Sequence, residues 1–325
     1  MQSLNNLRIV AIGGGSGLSV ILKGLKKVSK NITAIVSVGD DGGGSGIIRE
    51  DLGILPPGDI RSCIVSLADD ESEMAHLLAY RFESGLLKGQ SFGNLFIAAM
   101  HYLKGNFAEA VKAVSDVLKI SGTVLPVTLE DMRLVAELEN GEKVVGESCI
   151  PVVSQTLESP IAHMNIDPPH AQAFRYCIDA ISQADIIILG PGSLYTSVIP
   201  NLLVEGIPAA LAQSNAIKIY CCNIMTQPGE TDRYTVAAHI HAIENHVSTP
   251  IFDYVFYNTN TDIHPHILAR YKTKNTQIVL SGDLSGYQQK YKLIPDYFLT
   301  SQNNYLVHDT EKIAQNILKI LEEGK

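Results

Sequence analysis

Four apolar runs along this chain each end in a loop of small and polar residues, and that recurrence constrains the fold more than any other feature. Arg8–Ile12 (RIVAI) stops at Gly13-Gly14-Gly15-Ser16-Gly17, and Ile32–Val38 (ITAIVSV) stops at Gly39-Asp40-Asp41-Gly42-Gly43-Gly44-Ser45-Gly46. Asp185–Leu189 (DIIIL) stops at Gly190-Pro191-Gly192-Ser193, and Ala216–Cys222 stops at the polar loop Asn223–Asp232. After the first loop, apolar residues at 18, 21, 22, 25 and 28 have the spacing of one helical face. Strand, loop, helix and strand in that order open a parallel sheet. The expected fold is α/β: a Rossmann-like, doubly wound, mostly parallel sheet in a single domain over residues 1–325. Residues 60–118 read as helices, and Tyr254–Tyr257 and Gln277–Leu280 as further strands. Residues 122–150 break the rhythm, with short strands at Gly122–Val127, Arg133–Leu138 and Val144–Ser148 and an Asn140-Gly141 hairpin signal. They are expected to form a small antiparallel β insertion.

Composition narrows the function classes. Of 325 residues, 46% are hydrophobic and 18% charged, the latter below the ~25% usual in globular chains. That profile excludes a disordered polymer. A net charge of −9 argues against nucleic acid as a partner. No apolar run approaches the length of a membrane span, and Met1–Arg8 lacks the pattern of a signal peptide. Five cysteines without a CxxC pair point to reduced thiols and a cytoplasmic setting.

In an open α/β sheet, ligands bind beyond the carboxyl ends of the strands, where these loops lie. Glycines 13–17 let the backbone approach a phosphate, and the following helix offers free N–H groups. The spacing fits neither GxGxxG nor GxxxxGK[ST]. Asp40 and Asp41 suit either a ribose hydroxyl or a magnesium ion, which takes one or two carboxylates plus ligand phosphates. Asp59 is expected as the N-cap of the next helix. Arg61, poorly placed for the helix dipole, suits a pyrophosphate. Gly190, Pro191, Gly192 and Ser193 form a second anion cradle, with Ser193 able to cap its helix. Asn223 and Thr226 are short polar groups suited to reading a base or sugar edge. His239, His241 and His246 lack the i, i+4 spacing of a zinc pair, and no nucleophile elbow exists.

At these loops the chain resembles the gluconeogenesis factor family, bacterial proteins related to 2-phospho-L-lactate transferase. The resemblance rests on IGGGSG, VSVGDDGGGSGIIRE, LPPGDIRSCIVSLAD, FGNLFIAAM, GPGSLYTSVIPNLLV and CNIMTQPGETD, and covers about residues 7–320. It implies a Rossmann-like fold and a cytosolic protein that binds nucleotide sugars such as UDP-N-acetylglucosamine. It also implies a role in cell shape and cell-wall synthesis during gluconeogenic growth. Carried over to this sequence, ligand-binding roles fall on Gly13–Gly17, Asp40, Asp41, Asn94, Gly190–Ser193, Asn223, Met225 and Thr226.

Two readings of the activity stay open. One is a nucleotide-sugar-binding regulator with no turnover and no required cofactor. The other is a magnesium-dependent transferase in which Asp40 and Asp41 hold the metal and Arg61 stabilises charge on a bridging oxygen. An NAD-like dinucleotide could occupy the same cradle, because pyrophosphates look alike to backbone amides. No residue is assigned a catalytic role. The expected partner is a nucleotide-sugar ligand, with cell-wall synthesis proteins and self-association left open.

Overall fold

The computed structural model describes residues 6–69, 72–302 and 304–323; the signal-peptide reading of Met1–Arg8 lies mostly outside them. The first strand, β1 (Ile9–Gly13), is buried at all five positions, as expected of a parallel strand covered on both faces. It pairs in parallel with β2 (Ile32–Val36), which pairs in parallel with β3 (Thr123–Pro126). Three strands then leave the sheet: β4 (Arg133–Leu138), β5 (Lys143–Val145) and β6 (Ile161–Asp167) form a separate antiparallel sheet in the order β5-β4-β6. The chain returns as β7 (Ile186–Leu189) on the other side of β1, and β8 (Ile217–Cys221), β9 (Tyr254–Asn258) and β10 (Lys292–Asp296) continue outward. The result is a seven-stranded parallel sheet in the order β10-β9-β8-β7-β1-β2-β3. The strand order reverses between β1 and β7. In a doubly wound sheet that switch point opens a crevice.

Helix α1 (Gly15–Leu25) turns Leu18, Ile21, Leu22 and Leu25 onto the sheet and follows β1 directly. Helices α2 (Gly43–Leu52) and α3 (Gly58–Leu67) follow β2. A C-terminal hairpin, β11 (Leu299–Gln302) and β12 (Tyr305–His308), packs with Ile224 and Ile263 as an apolar cluster separate from the main core. Among the described residues, no helix is long and apolar enough to cross a membrane.

The Rossmann-like expectation holds, with three local corrections. The strand expected at Gly122–Val127 belongs to the parallel sheet as its edge, not to the antiparallel excursion. The excursion is built from strands within residues 133–167 instead, because Ile161–Asp167 pairs with β4. The glycine run 43–46, read as loop, already forms the first turn of α2. A strand expected at Gln277–Leu280 is reduced to one antiparallel bridge between Ile278 and Met225, and β10 takes the place at the sheet edge.

Candidate functional site

The crevice at the switch point holds a groove of about 790 Å3, within the range of small-molecule sites. One side is the turn from β1 into α1. The other is the turn after β7, where Gly190-Pro191 is a cis peptide and Gly190 adopts φ 72°. The two backbones touch. A Cβ added to Gly17 would lie 2.8 Å from the Pro191 carbonyl oxygen and 3.0 Å from the Gly192 nitrogen; one added to Gly192 would lie 3.0 Å from the Gly14 oxygen. Only glycine at 17 allows that approach. Gly14, Gly15, Ser16 and Gly17 face Pro191, Gly192 and Ser193 across the groove floor.

The second turn opens into a π-helical turn, Leu194–Val198, in which the Val198 N–H donates to the Ser193 oxygen five residues back. Such turns concentrate at functional sites. Below it, the fully buried Asn201 donates through Nδ2 to the Gly13 oxygen (3.0 Å) and the Ser197 oxygen (2.7 Å), fixing both turns to one side chain. The loop after β8 braces the same turn. Asn223 accepts from the Gly192 N–H at 3.3 Å and donates to its oxygen at 2.8 Å, while Gln227 Nε2 donates to Ser193 Oγ at 2.6 Å.

Other expected residues have different surroundings. Asp59 is not an N-cap: Pro57 holds that place in α3. From the first turn its carboxylate accepts the Gly15 N–H at 2.7 Å, because α3 packs along α1. Ser193 does not cap a helix through its side chain. Asp40 lines the groove and accepts the Gly42 N–H at 2.9 Å, whereas Asp41 accepts the Ser148 N–H at 2.8 Å and does not line it. The adjacent aspartates thus serve different neighbours. Among the described residues, no group of three His, Cys, Asp or Glu side chains is placed to hold a metal ion; a magnesium ion there would rely on Asp40 and on ligand oxygens.

Thr226 Oγ1 accepts the Gln277 N–H, so that hydroxyl ties the loop to residue 277 while Met225 lines the groove. Gly13, Gly190, Arg61 and Asn94 do not line the groove. Arg61 packs against Gly93 and donates to Ser62 Oγ; Asn94, 2% exposed, donates to Ser45 Oγ.

The groove also contains residues that no local motif marked. Glu147, from the antiparallel excursion, lines it, as do Tyr271, Lys274 and Tyr305. Glu147 and Asp40 flank Gly42: a Cβ there would lie 3.9 Å from Glu147 Oε2 and 3.5 Å from Asp40 Oδ1. This crowding has an electrostatic consequence. Burial, then the Asp40 charge, pushes the Asp59 carboxyl up to about 6 against the Gly15 hydrogen bond and the nearby Arg61. Burial and the neighbouring carboxylates, Asp40 first, push Glu147 up to about 8. Burial pushes Glu230, hydrogen-bonded to Thr196 Oγ1 at 3.4 Å, up to about 7. The site therefore combines backbone amides suited to an oxyanion with carboxyl groups that exchange protons near neutral pH.

The profile of the family 2-phospho-L-lactate transferase CofD matches residues 9–298. A relative from Thermoanaerobacterium thermosulfurigenes that carries the gluconeogenesis factor name is 52% identical over 320 residues, 98% of each chain. The gluconeogenesis factor of Bacillus subtilis is 41% identical over 317 residues, 97% of this chain and 98% of that one. The crystal structure of a UPF0052 family member from Bacillus halodurans superposes with a TM-score of 0.91 at 41% identity, covering 96% of this chain and 100% of that one.

Proposed function

The chain belongs to the gluconeogenesis factors of the 2-phospho-L-lactate transferase CofD family, and on that premise we propose that its groove binds a UDP-sugar. The protein acts as a cytoplasmic regulator of cell-wall synthesis and cell shape during gluconeogenic growth. The observation that carries the binding reading is the contact between the Gly14–Gly17 and Pro191–Ser193 turns, which line one groove floor together. A diphosphate is the ligand group with oxygens enough to use both. Calorimetry of the full chain against UDP-N-acetylglucosamine, UDP-glucose, UDP and uridine tests it. Saturable binding that fails with uridine is the expected result, and no heat at millimolar ligand ends the reading.

A second reading is a magnesium-dependent transferase of a phospho-type group. It is favoured by one specific observation: Asp59 and Glu147 line the same groove with their carboxyls pushed up to about 6 and about 8, suitable for moving a proton at neutral pH. When bound, magnesium would supply charge neutralisation on the phosphate oxygens. A product formed from a panel of nucleotide donors only when magnesium is present would establish turnover. Binding without product across that panel leaves the regulator.

A further inference from the structure

A second cavity, sharing no lining residue with the groove, lies at the far end of α2. We propose that it is a binding site for a small oxyanion, held by Arg49 and by the start of the helix Phe107–Leu118.

The cavity measures about 280 Å3 and is lined by Arg49, His101, Gly105, Asn106, Phe107 and Asp131 among others. Arg49 is only 3% exposed. Its Nη2 donates to Asp131 Oδ1 and to the Met132 oxygen, but Nε and Nη1 have no partner. Buried polar groups are nearly always hydrogen-bonded; Nε and Nη1 are shut off from water, so an acceptor entering the cavity reaches the guanidinium by taking the place of Asp131. His101 Nδ1 is likewise without a partner.

The third donor set is backbone. The helix Phe107–Leu118 starts at this cavity with Asn106 as its cap, the Asn106 side chain accepting from Glu109 at 2.9 Å. Its first-turn N–H groups and the positive end of its dipole favour an anion. The counter-charge present, Asp131, has a side chain 63% exposed, so it can turn into water as an anion takes its place on the guanidinium.

The volume is below that of drug-sized ligand sites, which limits the occupant to inorganic phosphate, a short carboxylate or a small phosphate monoester. Charge-assisted bonds from a guanidinium suit each of these. One end of α2 starts beside Asp40 and Asp41, and the other carries Arg49 toward this cavity. The two sites therefore share one helix.

The test is a titration of the full-length chain followed by site-resolved NMR at the His101 ring and the Gly105 and Asn106 amides. Inorganic phosphate is added in one series and acetate in another. Saturable shifts at these three signals are expected with phosphate; a response to acetate as well extends the site to planar carboxylates. Arg49→Lys keeps the charge but loses the planar fork, and is expected to weaken binding at these signals about tenfold. Should that variant fail to fold, His101→Phe, which leaves the guanidinium in place, is expected to weaken it severalfold. No saturable shift with either anion overturns the proposal. So does a folded Arg49→Lys or His101→Phe chain that titrates like the wild type.

Discussion

The Asp59 carboxylate accepts the backbone N–H of Gly15 at 2.7 Å, so an acid from α3 sits on the amide turn that opens α1. An incoming phosphate must share that turn with a carboxyl group whose proton affinity is already raised to about 6. Below that value the group is neutral and the anion meets less repulsion; above it, the repulsion is full. UDP-sugar affinity is therefore expected to rise as pH falls through 6. Asp59→Asn is expected to bind about tenfold tighter at pH 7.5 and to lose this pH dependence. Calorimetry of both proteins across pH 5.5–8 checks it.

Gly17→Ala should separate the two cradles. The new Cβ meets the Pro191 carbonyl at 2.8 Å, and backbone on both sides leaves little room to give. The expected cost is about 1–3 kcal/mol of stability, as for overpacked sites, with a loss of ligand affinity larger than that of any single side-chain truncation in the groove. Denaturant unfolding and calorimetry separate the two effects.

Asn201→Ala removes the amide that joins the Gly13 and Ser197 oxygens inside the core. Leaving those carbonyls without their donor is expected to destabilise the fold by about 1–3 kcal/mol. Both turns should loosen together, so ligand affinity should fall although Asn201 does not line the groove. Thermal unfolding with and without UDP-sugar reads both outcomes.

Stability should decline between pH 6.5 and 8. In that window Glu147 and Glu230, pushed up to about 8 and about 7, still hold protons in the folded chain that they have released in the unfolded one. Raising pH removes those protons and with them the stability they confer. Buried His239, His246 and His308, each pushed down to about 4 by burial, act in the opposite sense. They cost stability as pH falls from 6.5 toward 4. Glu147→Gln is expected to flatten the alkaline limb and to steepen the acidic limb above pH 4.5, where folded Glu147 also holds a proton that the unfolded chain has released, as measured by urea unfolding at fixed ionic strength.

The two glycine turns that meet at the switch point were legible in the sequence because their parts are local. A β-branched run, a glycine cluster and a helical period are contiguous at 8–28, and the strand end at 189 repeats the signal. Glu147 was invisible for the opposite reason. It sits in a short connection after β5, and the pairing of β5 with β4 and the Ser148 N–H donated to Asp41 carry that connection back beside Asp40. Tyr271, Lys274 and Tyr305 come from a helix and a hairpin whose place beside the groove is set by tertiary packing alone. Asp59 shows a finer failure: its position in the first turn of α3 was read as a cap, while the packing of α3 on α1 gave its carboxylate a nearer amide to serve. Residues 43–46 read as loop in the sequence because they continue the glycine-rich run that ends the second apolar strand, and glycine disfavours helices. Yet a side chain at 44 would lie 2.7 Å from Gln90 Oε1 and one at 46 would strike the Asp41 oxygen, so close approach outweighs propensity there.

The outer wall of the groove, with Ile224, Tyr271 and Leu306, rests on its own apolar cluster rather than on the core beneath the sheet. Evolution can therefore retailor that wall without endangering the parallel scaffold. One groove floor can then carry walls of different chemistry, one lineage at a time.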